Sequence, residues 1–75
     1  MNAADKKALR TLKSYCERYA VNRPFLAPET PDLIVAVLSG TGREVYNRSG
    51  GGVIAVFSST DAARKACHTV TGRWP

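Results

Sequence analysis

Few residues in this chain could do covalent or metal chemistry, and their spacing decides what they can be. Cys16 and Cys67 lie 51 positions apart with no CxxC pair, and the lone His68 follows Cys67 directly. A structural zinc site needs about four ligands, so two thiols and one imidazole predict no metal centre. Neighbours on a helix point about 100° apart, so Cys67 and His68 do not make a nucleophile and its base. The cysteines read as free thiols of a reducing compartment, with a disulfide between two helices as the alternative. Asp5, Asp32 and Asp61 stand at helix or strand starts, where capping accounts for them, and Ser58 and Ser59 have the same explanation. The chain is therefore expected to be no enzyme and to carry no cofactor.

The stretch NRSGGGVIAVFSSTD, residues 47–61, raises the question of a phosphate loop. Such a loop needs glycines that open a helix, so that backbone N–H groups and the positive dipole end face the anion. Gly50, Gly51 and Gly52 open a strand instead, and neither nucleotide-loop spacing is met. The same stretch has the cadence of the third strand and second helix of an RNA-recognition motif. Gly52 and Ile54 then stand where that module carries rings to stack bases, which excludes it. The glycines read as a loose hairpin loop that accepts positive φ.

What remains is binding. Eleven Lys and Arg against six Asp and Glu give a net charge of +5, which favours an anionic partner: nucleic acid, or an acidic patch on a protein. The candidate contact residues are Lys6, Lys7, Arg10, Lys13, Arg43, Arg48, Arg64 and Trp74. Four of them share one face of the first helix with Glu17 and Arg18, where Lys13 and Glu17 are expected to pair at i,i+4. Trp74 is either folded back on the domain or a solvent-facing anchor of the kind found at interface hot spots.

The elements that must position these residues follow from periodicity. At 75 residues the chain is expected to be one small domain, 1–75. Asn2 caps a helix over 3–20, with Leu9, Leu12, Cys16, Tyr19 and Ala20 on one face. Residues 21–32 hold three prolines and read as a long loop pinned by Phe25 and Leu26. Residues 33–39, containing LIVAVL, are apolar on both faces and predict the central strand; 43–47, polar on one side, predicts an edge strand. A third strand spans 53–58, and Ser58 with Asp61 has the spacing of a capping box for a helix over 60–71. In that helix Ala62, Ala63, Ala66, Cys67 and Val70 form the apolar stripe, and Gly72 is placed to cap its end. The expected fold class is α+β: a two-layer domain with a three-stranded antiparallel sheet and an N-terminal and a C-terminal helix, α-β-β-β-α. The longest strongly apolar run falls far below the roughly 18 residues of a membrane span. The charged N-terminus lacks the apolar core of a secretory signal, so a cytoplasmic location without membrane contact is expected.

A helix ending LKSYCERYA, three strands, and a helix opening SSTDAARKA together resemble the double-stranded RNA-binding domain, over most of the chain and mainly in architecture. That resemblance implies phosphate contacts from the start of the second helix, where the family carries a lysine pair and a further lysine. The matching positions are Thr60, Asp61 and Arg64, so only Arg64 keeps the charge and Asp61 opposes it. The SGTGR loop is shorter than a reach to a neighbouring minor groove requires. By type, a basic α+β chain of this size also resembles the small regulators and inhibitors that phages and mobile elements direct at host machinery such as RNA polymerase or defence nucleases. The expected function is accordingly docking on the acidic surface of a protein of nucleic-acid machinery. The alternative is a module contacting phosphates, and weak sequence-independent nucleic-acid binding is expected beside either.

Overall fold

A computed structural model describes residues 1–21, 30–36 and 42–75. Its elements run α1 (Ala3–Val21), β1 (Leu33–Ala36), β2 (Glu44–Asn47), β3 (Val53–Val56) and α2 (Thr60–Thr71), the α+β order expected from the sequence. Residues 37–39 of the expected first strand, and Phe25 and Leu26 of the connector, lie outside the described residues.

The helix ends follow local chemistry. Asn2 accepts the Asp5 amide on Oδ1 at 2.7 Å, satisfying one of the free N–H groups of the first turn. At the other end of the chain Gly72 takes φ 75°, and its N–H bonds the His68 carbonyl at 2.8 Å. A left-handed residue there ends the helix and turns the chain back. The α2 cap corrects the expectation by one residue. Ser59, not Ser58, accepts the Ala62 amide, at 3.0 Å. Ser58 is engaged elsewhere: its amide and its hydroxyl donate to the two oxygens of Asp5, at 2.8 and 2.6 Å.

The three strands form an antiparallel meander in the order β1-β2-β3. This reverses the expected assignment of centre and edge: β2 is the central strand and β1 an edge. Hydropathy misleads because β2 buries polar residues that are partnered. Asn47 is buried, donating to the Tyr15 hydroxyl at 3.0 Å and accepting the Ser49 amide and hydroxyl at 3.1 and 2.8 Å. A buried amide with its bonds made costs little, whereas an unmade one is expensive. The β2–β3 register slips between Val45 and Tyr46, so that β3 carries Ile54 as an extra residue beside the loop of Gly50, Gly51 and Gly52. All three glycines take positive φ, from 76° to 116°, as a hairpin loop of this kind requires.

Both helices feed one core. Leu12 of α1, Val45 of β2, Phe57 just after β3, and Ala63, Ala66 and Cys67 of α2 are all buried. α1 packs mainly on β3, and α2 on β1 and β2. Fully burying a side chain such as Leu12 stabilises by about 2 kcal/mol, and the small side chains of α2 let its backbone approach the sheet. Tyr46 and Val56 lie on the other side of the sheet, where Val56 and Val53 are exposed.

Candidate nucleic-acid or protein interface

α1 sorts its residues by face. Asp5, Ala8 and Leu12 are buried, while Lys6, Lys7, Arg10 and Lys13 are exposed. At 100° per residue, Lys6, Arg10 and Lys13 fall within one narrow stripe with Lys7 at its flank. The ion pairs among the described residues are Arg48–Asp32 and Lys65–Asp61, so these four cations are unpaired there. The expected Lys13–Glu17 pair is not formed. Both residues are exposed, and water solvates such charges nearly as well as a flexible partner does.

The remaining candidates sit elsewhere. Arg48 follows β2 and bonds Asp32 before β1, at 2.8 Å, with both side chains largely exposed. Arg64, on α2, shares with Arg48 a cleft of about 410 Å³ that also includes Ile34, Gly42, Thr60 and Pro75. Arg43 is half-buried at the start of β2, where its amide meets Glu44 Oε2 at 2.9 Å. The candidates thus form a row of four on α1 and a group at the α2–β1 side, with Arg43 next in sequence to Gly42 of the cleft.

Trp74 joins the second group, partly folded back on the domain and partly exposed. Its ring lies back over α2, nearly parallel to the His68 imidazole with centroids 4.3 Å apart. The Arg64 guanidinium stands 5.6 Å from the indole centroid, within cation–π range. Yet Trp74 remains 55% exposed. Arg73 fixes the returning chain by bonding the Thr30 hydroxyl at 2.8 Å. His68 as a support for the ring was not foreseen. A signal existed: Gly72 predicts a chain reversal, and residues 64 and 68 are one turn apart on the exposed side of α2.

Cys67 and His68 point apart, as expected for helix neighbours. Cys67 is wholly buried in the core, whereas His68 stacks on Trp74. Both cysteines are free thiols. Burial pushes Cys67 up to about 11, with the nearby Cys16 adding to the effect. Cys16 is likewise raised, by burial and then by Glu17. Neither is an activated nucleophile, since reactivity follows the thiolate. Tyr46 presents a hydroxyl shielded from solvent and without a hydrogen bond among the described residues. Desolvation, and then the Glu44 carboxylate, raises it.

At the start of α2, where the RNA-binding family turns lysines to phosphates, Thr60 donates its hydroxyl to the Gly42 carbonyl at 2.6 Å. Asp61 is held by Lys65 at 3.1 Å. No described helix is long and apolar enough to cross a membrane. The chain matches no family model, no curated protein and no solved structure. The α-β-β-β-α order agrees with the architectural resemblance drawn from the sequence, and that agreement is one of topology alone.

Proposed function

We propose that this chain is a small, basic, non-enzymatic binding protein that docks on the acidic surface of a protein of nucleic-acid machinery and regulates or inhibits it. The observation that supports this reading is the row Lys6, Lys7, Arg10 and Lys13: exposed, unpaired among the described residues, and carried by a helix whose other face is committed to the core. A row of this kind raises the encounter rate with an anionic surface. A protein is favoured over a duplex because Thr60 and Asp61, at the positions that would meet phosphates, offer a bonded hydroxyl and a negative charge. Phage-type inhibitors of RNA polymerase or of defence nucleases are the class whose size and charge this chain shares.

Affinity capture from host lysate, with and without nuclease, tests the reading. The expected outcome is a protein partner retained after nuclease treatment. Reversing Lys6, Lys7, Arg10 and Lys13 to Glu should slow its association at least about tenfold at low salt, with a smaller change in dissociation. Loss of every captured protein on nuclease treatment would overturn it, as would duplex binding tighter than about micromolar at physiological salt.

A further inference from the structure

The α2–β1 side of the molecule is organised differently from the α1 row. Trp74 offers an exposed indole whose ring plane is fixed by the stacked His68 and by Arg64. Arg64 also lines the cleft it shares with Arg48, and Pro75 connects that cleft to the ring. Among the described residues no acidic side chain lines the cleft. Asp32 holds Arg48 through Nε, which leaves the terminal guanidinium nitrogens of Arg48 to other acceptors.

We infer that this surface binds single-stranded nucleic acid, with a base stacked on the exposed part of the Trp74 ring and the adjoining phosphates on Arg64 and Arg48. The inference goes beyond the protein-docking function above and does not rest on it. A planar ring held by a parallel neighbour is already ordered before the ligand arrives, so less freedom is lost when a base is added. Every base has a π-face, and stacking with arginine-borne charge binds a strand without reading its sequence. Duplex does not satisfy the same site, because its base faces are already covered by their neighbours. The cleft volume lies within the range of ordinary ligand sites.

Trp74 is the sole tryptophan, so its emission reports the site directly. The test titrates the protein with a ten-nucleotide oligothymidylate, with a covalently closed circular duplex that has neither loops nor ends, and with an oligoglutamate of equal charge. The oligothymidylate is expected to quench Trp74, and the other two to leave it nearly unchanged. Arg48→Gln and Arg64→Gln should each reduce the slope of log affinity against log salt by about 0.7, the share of one phosphate contact on a single strand. Trp74→Ala, followed by anisotropy of a fluorescein-labelled strand, should weaken binding about tenfold. Circular dichroism identical to wild type establishes that each variant is folded. Equal quenching by oligoglutamate would assign the surface to an acidic protein, and equal quenching by the closed duplex would reduce it to a phosphate contact. Either result, or a salt slope unchanged in both arginine variants, overturns the inference.

Discussion

Asp5 and Cys67 do more for this fold than their positions announce. Asp5 looks like an acid of the first helical turn, favourable to the α1 dipole. Its carboxylate in fact takes both donors of Ser58, immediately before the cap of α2, so one buried side chain serves two helix starts. Nothing in local spacing could reveal this, because the bond spans 53 positions. The burial of Cys67 was legible from its place on the apolar stripe, and it carries a pH prediction. Its thiol is raised in the folded state from 9.0 to about 11. The folded state therefore holds its proton more firmly than the unfolded chain does, and this contribution is complete below pH 9 and lost as pH rises toward 11. Urea midpoints measured from pH 8 to 11 should fall more steeply for wild type than for Cys67→Ala. Parallel curves would show that the thiol titrates as it does in the unfolded chain.

Among the elements, helices were read more securely than strands. A 3.6-residue stripe, an Asn2 cap and a Gly72 terminator are local signals, and α2 occupies the expected residues 60–71. Strand order is not local. The apolar LIVA of β1 suggested a centre, yet a meander puts its second strand in the middle whatever its hydropathy, and β2 meets that demand by hydrogen-bonding Asn47. The α2 stripe gives the sharpest stability prediction. Ala66 is 1% exposed against the sheet, so Ala66→Arg must bury a charge or open the helix–sheet contact. It should cost about 3 kcal/mol or more in chemical denaturation. The same substitution at exposed Thr69 should cost less than about 0.5 kcal/mol. Similar midpoints for the two variants would mean that α2 is rotated from the orientation described.

On the scale of the whole molecule, the charge that the composition announced is divided between two places. α1, with its row of lysines and Arg10, covers β3; α2, with Arg64 and Trp74, covers β1 and β2. The candidate residues could be chosen from the sequence by type, but their grouping could not. Which cations are neighbours depends on the helix-to-strand pairing, and the stacking of Trp74 on His68 depends on the direction of the chain after Gly72. If both proposals hold, a strand bound beside Trp74 need not displace a protein docked on the α1 row.

The Asp5–Ser58 bond also sets an order of events during synthesis. α1 is made before the strands and packs on β3, and its buried carboxylate finds its donors only after residue 58 has emerged. Until then α1 has an apolar stripe and no sheet to cover it, and a helix of this length is marginal in water by itself. A fragment of residues 1–52, lacking β3 and α2, should therefore give an NMR spectrum without dispersed amide shifts and be cleaved rapidly by protease, whereas the 1–75 chain resists. A folded fragment would show that α1 and the β1–β2 hairpin suffice. Where the expected result holds, a chain cut short before Ser58 is a protease substrate, because the Asp5 carboxylate is left without the two donors that close the fold.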